Sequence, residues 1–175
     1  VETSRVAPIL VLHGADGSIG LAEGVMDSEW PLYREETVEA AVPLAQRMLE
    51  HFVVGRSFET PAEITGRLGH LRGNRMAKAM IEMAVWDLFA RAADRPLRDV
   101  LGGAGDAIAT GVSLGIQPSI DDTVRLVASH VDLGYKRIKL KIKPGWDLKP
   151  LSAVRAAFPS LVMTADANSA YTLDD

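Results

Sequence analysis

Cysteine is absent from this 175-residue chain, which removes disulfides, thiolate metal sites and cysteine nucleophiles together. No run approaches ~18 consecutive apolar residues, so the sequence predicts no transmembrane helix. Residues 1–5 show no basic-then-apolar leader pattern, and a cytoplasmic location is the expectation. Basic residues are outnumbered, 19 Lys and Arg against 23 Asp and Glu, for a net charge of −4. That balance argues against nucleic acid or an anionic membrane as the main partner. The four histidines, His13, His51, His70 and His130, have no i,i+4 pairing, so spacing gives no histidine metal site. Gly102-Gly103-Ala104-Gly105 lacks the G-x-G-x-x-G order that would follow a strand in a dinucleotide site. Ser113 and Ser169 have no histidine nearby in sequence to recommend either as a nucleophile. An initiator methionine is missing too, which reads as a sign of an incomplete chain.

What remains has globular proportions, 47% hydrophobic and 24% charged, which excludes a disordered or collagen-like chain. Residues 7–13 and 18–24 are β-rich, and the Asp16-Gly17 between them can take the positive φ of a tight hairpin. Trp30-Pro31 breaks the chain before Glu35-Glu36-Thr37-Val38 opens a helix running to about Phe52, its acidic first turn matching the helix dipole. Further helices are expected over residues 61–71 and 75–93, with Asn74 as N-cap of the second. That second helix is apolar around most of its girth, including Met76, Met80 and Met83, and so is expected to be buried as core packing. A short turn of helix at 96–101 leads to the glycine-rich linker, where a domain boundary is expected, giving units 1–103 and 104–175.

Beyond the linker the pattern alternates. Strands are predicted over 107–115, 137–143 and 161–166, with helices over 121–133 and 147–158, as in parallel βαβ units. Thr172 and Asp175 have capping-box spacing, as if another helix starts there. The second strand puts Ile138, Leu140 and Ile142 on one face and Arg137, Lys139, Lys141 and Lys143 on the other. Inside a barrel an unpaired ammonium is costly, so such a lysine needs a carboxylate partner or a lowered pKa, both suited to a proton-transferring base. The alternative is an edge strand with a solvated basic face. On the third strand Val162, Thr164 and Asp166 share a face, with Asn168 following. A carboxylate and an amide oxygen at a strand's C-terminal end suit a hard cation such as Mg²⁺. The alternative is an ordinary strand-to-helix turn.

Taken together, residues 134–147 resemble the K-x-K strand of the enolase superfamily, and more narrowly its muconate-lactonizing-enzyme subgroup. Ala165-Asp166-Ala167-Asn168 is similar to that subgroup's D-x-N strand, and residues 73–88 resemble the helix joining its capping domain to its barrel. The Pro144-Gly145-Trp146-Asp147 that follows the lysines points to the branch of o-succinylbenzoate synthases and N-succinylamino acid (N-acylamino acid) racemases. The resemblance implies an α/β fold, with an α+β capping domain followed by the first strands and helices of a (β/α) TIM-like barrel, truncated. It implies Lys141 as general acid/base at a substrate α-carbon, and Lys139 as the group that neutralises and positions the substrate carboxylate. Asp166 would be the first of three carboxylate ligands to Mg²⁺ (or another divalent cation such as Mn²⁺), with Asn168 near metal and substrate. The implied partner is a small-molecule carboxylate, in a homo-oligomer when full length.

The leading activity under that resemblance is o-succinylbenzoate synthesis, a dehydration in menaquinone biosynthesis. N-acylamino acid racemisation is the alternative, and dipeptide epimerase or muconate cycloisomerase activity a weaker one. A reading from another class is a non-catalytic α/β anion-binding module. The family's remaining metal carboxylates and its opposite-face lysine belong to later strands, so this chain by itself is expected to be inactive.

Overall fold

A computed structural model describes residues 5–30 and 33–175; Pro31, the expected chain break, lies outside them, as do residues 1–4. The chain divides into two compact units, residues 1–104 and 105–175.

In the first unit β1 (Ile9–His13) and β2 (Ile19–Glu23) pair antiparallel, with Leu12 opposite Gly20 and Leu10 opposite Ala22. The turn between them closes through Gly14 N–H to Ser18 O at 2.8 Å, and Gly17 takes the expected positive φ of 86°. Four helices follow: α1 (Val38–Phe52), α2 (Glu63–Gly69), α3 (Arg75–Ala92) and the short α4 (Leu97–Val100). The core gathers Ala41, Ala45 and Met48 of α1, Ile64 and Leu68 of α2, and Ala77, Met80, Ile81, Ala84 and Val85 of α3 around Leu12, Ala22 and Met26. Small residues let α3 and the hairpin approach closely. A Cβ on Gly20 would lie 2.2 Å from the Ala84 carbonyl oxygen, a distance no side chain tolerates. Asp87 reaches from α3 to accept the Leu21 backbone N–H at 2.8 Å, so a helix side chain takes up a donor that β1 does not.

The start of α1 differs from the sequence expectation. The helix begins at Val38, after Thr37, whose side chain accepts from Ala40 N–H as an N-cap. Glu35 and Glu36 therefore stand outside the helix whose dipole they were expected to complement. Glu36 is 8% exposed, and its carboxylate accepts the N–H groups of Met76 at 2.7 Å and Ala77 at 3.0 Å, at the start of α3. Asn74, the expected cap of α3, takes a left-handed conformation (φ 53°) that turns its side chain back to the Arg72 carbonyl. An anion forty residues upstream does the capping instead.

Asp27 delivers that anion. Its backbone bonds Glu36 O and Val38 N, and its carboxylate accepts from Tyr33 N, Arg34 N and the Arg34 guanidinium. The Arg34 and Tyr33 backbone donors, then the guanidinium, hold the Asp27 carboxyl down at about 2.

The second unit alternates strand and helix: β3 (Val112–Leu114), α5 (Ile120–Asp132), β4 (Arg137–Lys141), α6 (Leu148–Ala157) and β5 (Val162–Asp166). All pairs are parallel, in the order β3-β4-β5. Ser119 caps α5, its hydroxyl accepting from Asp122 N–H. Ile138 and Leu140 are buried with Leu114, Val127 and Val154, so the apolar row of β4 packs under α5 and α6 as its alternation requires. The first strand is shorter than its β-rich sequence. Val112 pairs with Ile138, the second residue of β4, so residues 107–110 run past the end of their neighbour and have no strand to bond. Likewise β4 ends at Lys141 rather than residue 143, because β5 stops opposite it at Asp166.

Replacing Glu36 by alanine strands two amides at the buried start of α3. We expect a loss of about 2 kcal/mol, read as a lower urea midpoint with an unchanged slope. An unchanged midpoint would show that those amides find other partners.

Candidate active site

Parallel pairing decides which side chains meet. Lys139 stands opposite Thr164 and Lys141 opposite Asp166. The residues that alternate away from the buried row of β4 thus face those on the same side of β5. At the C-terminal end of both strands, Lys141 Nζ donates to Asp166 Oδ2 at 2.8 Å and to Asn168 Oδ1 at 2.5 Å. Lys139 Nζ lies 2.9 Å from the same Oδ2. The second carboxylate oxygen, Oδ1, accepts the Asn168 backbone N–H at 3.0 Å. All four residues singled out from the sequence therefore converge on one spot.

The site is half open, with side-chain exposures of 40% for Lys139, 26% for Lys141 and 25% for Asp166. Two ammoniums against one carboxylate leave a local charge of +1, a field that favours an anionic ligand. Hydrogen bonds from Lys141, then Lys139, then the Asn168 amide hold the Asp166 carboxyl well below the usual carboxylate range. The carboxylate is consequently charged at every physiological pH.

The chain leaves β5 through a tight turn in which Ala170 N–H bonds Ala167 O at 2.9 Å. Its central residues, Asn168 and Ser169, both have positive φ, 46° and 61°. Asparagine adopts this conformation at small cost and serine at more. On the other side, β4 leads into a turn in which Lys143 and Trp146 exchange backbone hydrogen bonds, and then to Asp147 at the N-terminus of α6. Asp147 Oδ2 accepts from the Tyr171 hydroxyl at 2.7 Å. Neither Asp147 nor Tyr171 was marked as a site residue from the sequence. They are 24 positions apart on different loops, and no local pattern joins them.

The donor set can be tested for a cation. Asp166 Oδ2 and Asn168 Oδ1 already converge on one, the Lys141 ammonium. Both are hard oxygens of the type Mg²⁺ and Mn²⁺ prefer. Among the described residues no three His, Asp or Glu gather as a metal cage, and the carboxylate that meets the Lys141 ammonium is that of Asp166. Two of the histidines have neighbours of another kind: His130 Nδ1 lies 2.8 Å from the Leu126 carbonyl, and His51 packs edge-on against Phe52. Among the described residues no helix is long and apolar enough to cross a membrane.

Residues 1–102 match the N-terminal domain of the mandelate racemase / muconate lactonizing enzyme family. The chain belongs to that family. Within the enolase superfamily, to which the family belongs, this domain is the cap, and the β3–β5 unit is the start of the (β/α) barrel. An N-succinylamino acid racemase from Thermus thermophilus is 54% identical over 173 residues, which are 99% of this chain and 46% of that protein. An o-succinylbenzoate synthase from Geobacillus kaustophilus is 46% identical over 160 residues, covering 91% of this chain and 42% of the relative. The solved structure of an enolase superfamily member from Listeria innocua superposes with a TM-score of 0.92 at 37% identity, over 100% of this chain and 48% of that one. The chain thus spans about half the length of the curated relatives it matches.

For the metal-free protein, the Asp166 carboxyl ¹³C shift is expected to stay at its ionised value as pH falls through 3.8, where an ordinary aspartate titrates. Because its folded pKa is depressed, its contribution to stability is full above that pH and is lost only as pH falls through the lower folded value. Lys141→Met should move the midpoint upward; an unmoved midpoint would mean that Lys141 is not its main partner.

Proposed function

We propose that the protein of which this chain forms part removes a proton α to a carboxylate with the help of a divalent cation, and that its reaction is o-succinylbenzoate synthesis. The observation that carries the reading is Lys141 Nζ poised between Asp166 Oδ2 and Asn168 Oδ1 at the C-terminal end of parallel strands. That end is where barrel enzymes carry their chemistry. Family membership and the synthases among the relatives, at 46% and 44% identity, support it. N-succinylamino acid racemisation is the second reading, favoured by the 54% identity to the Thermus racemase. The first step is the same in both: one ends with loss of a hydroxyl, the other with return of a proton on the opposite face.

Each residue has a task in that step. Lys141 takes the α-proton, and to do so it must give up a proton and part from Asp166. Lys139, one strand position pair away on the same face, neutralises the substrate carboxylate. Loss of the proton places a second negative charge on that group, and fixed cations lower the barrier most when they are in place beforehand. A bound Mg²⁺ or Mn²⁺ would supply the larger share of that positive charge. Asp166 would be its carboxylate ligand from this chain, and the Asn168 amide oxygen would lie beside it. Because no three carboxylates or imidazoles gather among the described residues to hold the cation, the 175-residue chain by itself is expected to be inactive. The substrate is a small carboxylate.

In the full-length protein, Lys141→Ala is expected to lower kcat by about 10³-fold or more in whichever of the two reactions the wild type performs. Lys139→Ala should raise KM and lower kcat as well, because the charge it offsets grows in the transition state, and EDTA should abolish turnover until Mg²⁺ or Mn²⁺ is restored. A Lys141→Ala enzyme within about tenfold of wild type would remove the lysine from the proton transfer.

A further inference from the structure

The turn that carries Asn168 is strained, and something must hold it. Two consecutive non-glycine residues, Asn168 and Ser169, sit in the left-handed region. Serine adopts it at more cost than asparagine, and two in a row persist only where the surroundings over-determine the turn. Before the turn the restraints are those of the site: Asn168 N–H to Asp166 Oδ1, and Lys141 Nζ to Asn168 Oδ1. After the turn the restraint is Tyr171, whose hydroxyl donates to Asp147 Oδ2 at 2.7 Å.

Asp147 is itself a fixed point. Its Oδ1 accepts the Leu148 N–H at 2.6 Å as the N-cap of α6, and it directly follows the closed Lys143–Trp146 turn. The strained turn is therefore fastened on both sides to one stretch of chain, by Lys141 on the strand and by Asp147 at the helix start. We infer that Tyr171 and Asp147 are positioning residues. Their bond holds the left-handed turn closed and, through it, keeps the Asn168 amide oxygen and the Asp166 carboxylate trained on Lys141.

The electrostatics agree with a tight bond. The hydroxyl of Tyr171, followed by the Leu148 amide, lowers the Asp147 carboxyl, and the Asp147 carboxylate pushes the Tyr171 phenol up to about 12. The proton stays on the phenol across the working pH range. Tyr171 therefore acts as a donor in a fixed direction and not as an acid in the reaction.

The inference rests on the proposed reaction, because the effect is read in its rate. Full-length Tyr171→Phe loses the clasp but leaves the cap of α6 intact. It is expected to lower kcat about tenfold, as a sub-ångström misplacement of reacting groups does, with KM within about threefold of wild type. Asp147→Ser, which still caps a helix but is too short to reach Tyr171, carries the same test from the other partner and serves if Tyr171→Phe does not fold. Asp147→Asn keeps both an acceptor for the phenol and a cap, and should stay within about threefold of wild type. In a tyrosinate absorbance titration, the component near pH 12 in wild type should vanish in Tyr171→Phe and fall toward 10 in Asp147→Ser.

Wild-type kcat in Tyr171→Phe or Asp147→Ser overturns the inference. So does a loss in kcat that disappears once the rate is normalised to the folded fraction, since that is what a merely structural bond would give. A wild-type protein inactive in both dehydration and racemisation overturns the functional reading and the positioning role with it. The titration then still reports whether the bond exists.

Discussion

One carboxylate organises the β3–β5 unit's functional end. Asp166 accepts two ammoniums on one oxygen and a backbone amide on the other, and every other group in the site takes its place from that arrangement. The constraint behind it is parallel pairing in register. Lys141 lies opposite Asp166 because β4 and β5 start where α5 and α6 release them, and the buried row of β4 leaves the charged row no other side to face. A one-residue slip would bury the lysines and expose Ile138 and Leu140. The apolar core under the helices and the charged cluster above the sheet are thus two results of a single register.

The first unit is held by a different long-range charge. Glu36 reaches into the start of α3, and the Asp27 knot that presents it is itself built from an ionised carboxylate. Both units therefore place an anion against backbone amides at a structural joint: Glu36 against the first turn of α3, and Asp166 against Asn168 N–H. In the first case the anion stabilises a helix end. In the second it shapes the turn that a reaction would need.

Much of this was legible from the chain, and the parts that were not share a cause. Alternation with period two told which face of β4 and β5 each residue would take, because side-chain direction in a strand is local. Together with the resemblance carried by the two strands, it pointed Lys139, Lys141 and Asp166 to one side of the sheet, with Asn168 in the turn that follows. The hairpin was equally local, set by Asp16-Gly17 between two β-rich runs. Capping of α3 was misread because the true partner, Glu36, is remote in sequence while Asn74 is adjacent and chemically suitable. The left-handed backbone that disqualifies Asn74 carries no sequence mark of its own. The length of β3 also escaped: residues 107–110 look like strand, yet strand exists only where a neighbour is present to bond it. The Tyr171–Asp147 bond was invisible for the same reason, since it depends on where two loops end up and on no periodicity in either.

The missing side chain at Gly20 has a mechanical consequence. With the hairpin backbone set directly on the Ala84 carbonyl, strand and helix have no rotamer to exchange and no methylene to slide on. The Leu21–Asp87 bond pins the contact at its next residue. β2 and α3 are therefore fastened at two adjacent positions with no side chain between them, whereas the tip, from Gly14 to Ser18, is closed by hydrogen bonds of its own.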